Sequence, residues 1–179
     1  MKIQEVGSHL DHMLRQTRIH HVHLSMMADV KANGLMTISA IMLTFSAPFI
    51  VREQFRCAVI ALMISSLLTI VFATFAVMPG IPFRIRKTAR PAVHHPKFNL
   101  LFFGSFVAME YEQFEAAMEE VLNDPSKTYE VQVREIYTLG VFLGAKKYRY
   151  LRFAYLVFVI GLFVSAFILS WSVFAGAKI

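Results

Sequence analysis

Charge is missing from this sequence over three long stretches. No Asp, Glu, Lys or Arg lies between Lys31 and Arg52, between Arg56 and Arg84, or between Arg152 and Lys178. Each gap reaches the roughly 20 apolar residues that a helix needs to cross a bilayer core. Of 179 residues, only 17% are charged and 56% are hydrophobic, a balance that would give a soluble protein large exposed apolar patches. Cysteine is nearly absent. The lone Cys57 cannot form an intrachain disulfide, and at the start of an apolar run it reads as a small packing residue, not a reactive thiol. There is no Gly-rich loop ending in Gly-Lys-Ser/Thr, no Gly-x-Ser-x-Gly elbow and no His-Glu-x-x-His. With no catalytic constellation, the expectation is a protein that is not an enzyme and carries no cofactor. The uncharged runs lack the intramembrane ionisable groups that mark ion coupling, which argues against a secondary transporter. Met1 to Lys31 is polar and His-rich, without the apolar core of a cleavable signal.

The runs predict an all-α membrane protein with three transmembrane helices. A small, mainly helical cytoplasmic domain is expected between the second and the third. The expected organisation is an N-terminal cytoplasmic helix over 1–32, spans over 33–51, 57–78 and 153–175, and a cytoplasmic domain over 84–152. Only Arg52 to Arg56 separates the first two spans, so they form a tight hairpin. Pro48 is expected to kink the end of the first, and Pro79–Gly80 with Ile81–Pro82 stops the second. Fifteen of the 18 Lys and Arg fall on one side of this arrangement. The positive-inside rule then places the N-terminus and central block in the cytoplasm and the C-terminus outside. Basic runs at Arg84–Lys87 and Lys146–Arg152 flank the second and third spans. At a membrane edge such residues anchor to anionic headgroups, at about 1 kcal/mol each, so the bilayer and not nucleic acid is the expected partner.

Val6 to Lys31 reads as a helix, with Ser8 as a possible N-cap. At about 100° per residue, His9, His12, His20 and His23 share one arc of about 80°, with Asp11, Arg15, Arg18 and Asp29 on the other side. Three readings of this stripe stand: a moderately polar packing face against the cytoplasmic domain or a neighbouring subunit, a metal site built on i, i+3 histidines, and a pH- or anion-responsive surface. No Cys or well-placed carboxylate completes a metal site. Asn99 to Phe106 is too short to span a membrane and fits a buried strand or a packed turn. Tyr111 to Asn123 reads as an amphipathic helix ended by Asp124–Pro125. The next helix starts near Ser126, with Tyr129, Val133, Ile136, Tyr137 and Gly140 at helical spacing, and runs unbroken into the third span. Gly140 and Gly144, and Gly161 and Ser165, lie four apart, a spacing that lets helices approach within a chain or between copies. Thr37, Ser39, Thr44, Ser65, Ser66 and Thr69 add mild polarity to the first two spans, as back-bonding hydroxyls or as the lining of a weak pore.

Several segments together resemble one family. Met27-Ala28-Asp29-Val30-Lys31-Ala32-Asn33-Gly34-Leu35 is similar to the entry into the first span of the Pycsar transmembrane effectors. Asn99-Leu100-Leu101-Phe102-Phe103-Gly104-Ser105-Phe106 resembles a further element of that family. So do Arg134 to Gly140 and Lys146-Lys147-Tyr148-Arg149-Tyr150-Leu151-Arg152 before the last span. The likeness runs from about Met27 to Val164. Unlike some relatives, the sequence shows no His-Asp motif of an HD-type domain, and no cyclic-nucleotide-binding β-roll.

The resemblance implies an oligomeric inner-membrane effector of bacterial anti-phage immunity. It would answer a cyclic pyrimidine mononucleotide, cyclic CMP or cyclic UMP, by compromising the membrane and causing abortive infection. A phosphate-bearing ligand needs cations, so Arg84, Arg86, Lys87, Arg90 and Lys97, with His9, His12, His20 and His23, are the candidate ligand residues. Asp29, Lys31, Lys146, Lys147, Tyr148, Arg149 and Arg152 form the candidate membrane-edge motif through which a signal reaches the spans. The alternative is a structural or regulatory membrane subunit that binds a protein partner through its cytoplasmic helices.

Overall fold

A computed structural model describes residues 7–78, 98–107 and 109–176. The candidate ligand residues Arg84, Arg86, Lys87, Arg90 and Lys97 lie outside them. The described residues are helical, with no strand. In chain order they form α1 (Ser8–Ser46), a 3-10 turn (Ala47–Val51), α2 (Glu53–Val77), α3 (Phe103–Phe106), α4 (Tyr111–Leu122), α5 (Pro125–Phe142), a π-helical turn (Leu143–Tyr148) and α6 (Arg149–Gly176). Three helical stretches, one in each charge-free region, are long and apolar enough to cross a membrane. The chain divides into two compact units, one of Met1–His23 and Pro79–Leu143, the other of Leu24–Met78 and Gly144–Ile179.

Several local expectations shift. Gly7, not Ser8, occupies the cap of α1: its carbonyl accepts from the Leu10 and Asp11 amides at 3.0 and 3.5 Å. Pro48 converts the end of the first span to a 3-10 turn. Asn99 to Phe106 is a turn followed by the short α3, so the strand reading falls. The cause is Asn99, whose side-chain oxygen accepts from the Leu101 amide at 3.0 Å and folds the backbone into an Asx turn. The helix from Pro125 onwards is not uniform, because a π turn interrupts it at Leu143–Tyr148. Of the apolar face proposed for α5, Tyr129 is buried, whereas Val133 and Tyr137 are exposed.

The second unit is a bundle of the later part of α1 with α2 and α6. Its core brings together Ala28, Ala32 and Leu35 of α1, Ala73 and Ala76 of α2, and Leu151 and Ala154 of α6. Bulky apolar residues such as Phe45, Phe163, Phe167 and Trp171 point outward. Lipid tails are as apolar as these side chains, so burial gives helices little reason to associate, and close backbone approach takes over. Small residues on the inner faces permit that approach. Gly161 shows it best: a Cβ there would overlap the side chain of Ser65 on α2. Four residues on, Ser165 Oγ donates to the Ala58 carbonyl at 2.9 Å. The Gly161–Ser165 pair thus packs within the chain, while Gly144 faces open space.

Gly161→Ala is expected to cost about 1–3 kcal/mol of bundle stability by overpacking, and Ser65→Gly in the same chain to restore most of it. Thermal unfolding in detergent of the two variants and the parent checks both directions.

Candidate functional site

In the first unit, the face of α1 that packs is the charged one. Tyr129 donates its hydroxyl to Asp11 Oδ1 at 2.7 Å, and Arg18 pairs with Glu135 at 3.1 Å. The hydrogen bond to Asp11 holds the Tyr129 hydroxyl above its ordinary pKa, which keeps it a donor. Burial pushes the Glu135 carboxyl up from its ordinary 4.5, against the opposing pull of Arg18. His9, His12, His20 and His23 are all exposed, so the packing reading of that stripe fails within this unit. The reason is angular: at about 100° per residue the stripe lies nearly opposite Leu14 and His21. His21, which the stripe omits, is the histidine that packs. It lies against Gly140, and its Nδ1 is buried without a hydrogen-bond partner. Among the described residues no group of three His, Cys, Asp or Glu side chains is placed to hold a metal.

The loop before α3 is tied to α5. Asn99, almost fully buried, donates from Nδ2 to Thr138 Oγ1 at 2.9 Å, and Thr138 donates in turn to the Arg134 carbonyl. Arg134 reaches Glu130 at 2.9 Å and the Phe98 carbonyl at 3.3 Å. Asp124 caps α5 by accepting from the Ser126 and Lys127 amides, with Pro125 in the first turn. Lys127 then bridges to Glu120 of α4 at 2.8 Å, and that bond raises its pKa. These pairs rim a groove of about 220 Å³ whose apolar lining includes Phe98, Leu100, Val121 and Val131. Neither Lys127 nor Arg134 stands out in the sequence as a ligand residue, because both sit in mixed-charge helical stretches that read as solvated faces.

In the second unit, three residues of the predicted membrane-edge motif converge. Lys147 Nζ contacts both oxygens of Asp29 and donates to Ser25 Oγ, each at 2.7 Å, with the lysine nearly buried. Tyr148 donates to the Leu24 carbonyl at 3.2 Å, and Lys146 reaches the Met78 carbonyl at 3.3 Å. Lys31 and Arg152 are exposed, and Arg149 lies over the Tyr150 ring at 5.5 Å. The motif is therefore two things: an inward latch of Asp29, Lys147 and Tyr148, and an outward set of cations.

The hydroxyls of the first two spans also divide. Thr37, Thr44, Ser65 and Thr69 donate to carbonyls of their own helices at 2.7–3.0 Å. Ser39 and Ser66 do not: both are buried and neither Oγ has a partner. A buried hydroxyl without a partner costs about 1–3 kcal/mol.

Lys147→Met leaves Asp29 without its cation and is expected to lower stability by about 2–3 kcal/mol. This is less than the cost of a wholly buried orphan charge, since Asp29 keeps some exposure. The double variant Asp29→Asn/Lys147→Met is expected to lose less than the two single losses combined, and a double-mutant cycle of thermal unfolding reads that coupling. For Glu135 the sign follows from its raised pKa. The stability it contributes is full below 4.5 and is lost as pH rises through the folded value. Unfolding followed against pH is expected to show that decline in the parent and not in Glu135→Gln.

Compared with known proteins, the chain matches the family model for the Pycsar effector protein domain over residues 12–174. No curated protein and no solved structure matches it.

Proposed function

This chain belongs to the Pycsar effector family, the membrane effectors of an anti-phage defence system, and from that premise we propose that it turns a cyclic pyrimidine mononucleotide signal into loss of inner-membrane integrity. The carrying observation is that the family match covers nearly the whole chain, spans and helical block alike. In this reading the N-terminus and the helical block lie in the cytoplasm, the C-terminus outside, and several copies act together without catalysis. Infected cells that make the messenger then die or stop growing.

The groove rimmed by Lys127 and Arg134 is the ligand site we favour among the described residues. Its apolar lining suits a base, and its two cations suit a phosphate. At about 220 Å³ it is smaller than the roughly 300–1,000 Å³ of most ligand pockets, which favours a mononucleotide over a cyclic dinucleotide. The ligand shifts an equilibrium only by binding one state more tightly than the other. Both cations are held in ion pairs with glutamates; a phosphate that draws Lys127 from Glu120 loosens the tie between α4 and α5, and one that draws Arg134 from Glu130 and the Phe98 carbonyl loosens the loop before α3.

Bacterial cells expressing the full chain are expected to depolarise when cyclic CMP or cyclic UMP is raised inside them, and not with cyclic AMP. Arg134→Ala is expected to weaken that response by about tenfold or more, the loss of one charge-assisted phosphate contact. No depolarisation with either pyrimidine nucleotide overturns the reading. A full response from Arg134→Ala, with His20→Ala impaired instead, moves the ligand site to the histidine stripe.

A further inference from the structure

Resting on that reading, we infer that the interior of the second unit's bundle is a closed aqueous path, lined by hydroxyls and shut at one end by the alanine core. Four observations carry it. The first is the two orphan hydroxyls. Ser39 and Ser66 are wholly buried, face the bundle interior, and have no protein partner, while their neighbours on the same helices satisfy themselves by back-bonding. A hydroxyl in that position is matched by water and by nothing in the closed bundle.

The second is depth. Met36 Sδ lies 3.5 Å from Thr74 Oγ1, which sets the level of α1 against α2. At about 1.5 Å per residue, Ser39 lies about 4.5 Å, Thr69 about 7.5 Å and Ser66 about 12 Å nearer the hairpin tip. The hydroxyls thus follow one another along the bundle axis. Gly161 of α6, against Ser65, adds no side chain at that depth. The third is an existing opening. Toward the tip, a crevice of about 370 Å³ lies among Met42, Phe49, Phe55 and Leu62; its walls are almost wholly apolar, with Ser46 and Ser165 on them already donating to the Leu43 and Ala58 carbonyls, so it supplies room and not polarity.

The fourth is the closure. On the other side of Ser39 the interior is filled by Ala28, Ala32, Leu35, Ala73, Ala76, Leu151 and Ala154, with the Lys147–Asp29 pair beside its far end, level with Ala28. Alanine faces separate with little loss of interlocking, because they carry no long side chains to disengage. Opening would wet Ser39 and Ser66, so the open state gains the hydrogen bonds that the closed state lacks. The bulky outward residues continue to face lipid throughout. A path between three helices is narrow, so several copies opening together supply the leak.

The test is cysteine accessibility in the full chain, with native Cys57 changed to Ser, in membrane vesicles given cyclic CMP or cyclic UMP on both sides. A charged, membrane-impermeant thiol reagent is added to Ser39→Cys, Ser66→Cys and Ile38→Cys, the last a lipid-facing control. Labelling at 39 and 66 is expected to speed up at least about tenfold with the nucleotide that depolarises the vesicles, while position 38 stays unlabelled. Depolarisation with no change at 39 and 66 overturns the path and leaves the proposed function standing. Full-rate labelling without nucleotide overturns it as well, since the bundle would then never close. No depolarisation with either nucleotide overturns both. The variant Ser39→Ala/Ser66→Ala gives an independent reading. It is expected to unfold at the same or a higher temperature than the parent and to depolarise at least about tenfold less. A lower unfolding temperature with unchanged depolarisation would mean that the serines only pack.

Discussion

Everything in the membrane unit depends on how closely three helix backbones can approach. Lipid removes the usual advantage of apolar burial between helices, so contact has to come from dispersion over short distances. The side chains that allow this are the smallest in the chain: alanines in the core cluster and Gly161 against Ser65. Large side chains are displaced to the outer faces, where Phe163, Phe167 and Trp171 meet lipid. The same rule that tightens the bundle admits a few polar groups to its interior, since serine and threonine are also small. Ser39, Ser66 and Thr69 are the residues on which packing and polarity meet.

The helical block of the first unit obeys a different balance. There the contacts of α1 are polar and charged: Asp11 with Tyr129, and Arg18 with Glu135. The bond to Asp11 raises the pKa of Tyr129, while burial raises that of Glu135 against the pull of Arg18. The groove of Lys127 and Arg134 shares this economy of paired charges. A unit held by ion pairs answers a charged ligand far more readily than one held by alanine packing, because the ligand competes for the same groups.

The three spans are legible in the sequence because a charge in hydrocarbon is costly, and its absence over Asn33–Val51, Cys57–Met78 and Phe153–Ala175 is therefore visible residue by residue. The latch is half legible: Asp29 and Lys147 lie in the segments that resemble the family, yet nothing local says that they meet. The face of α1 that packs within the chain is not legible, because helical spacing reports which residues share a side and not which side finds a partner. Four histidines share one row, but the neighbours of α1 offer Tyr129, Glu135 and Gly140 to the opposite face. Leu14, Ala28 and Leu35 at multiples of seven, interleaved with Ala32, Ser39 and Ser46, carry the seam that a heptad template would have found. The π turn has no such signature.

The ion pair of Asp29 and Lys147 also has a place in time. The two residues are 118 positions apart, so the ribosome makes the acid long before its base. When the helical hairpin of α1 and α2 first enters the membrane, Ala28 and Ala32 can already meet Ala73 and Ala76, but Asp29 has no cation to meet. Only the arrival of α6, with Lys147 in the turn before it, pairs the acid and completes the core cluster. A truncated or stalled chain therefore carries a carboxylate without its cation at the edge of an incomplete bundle.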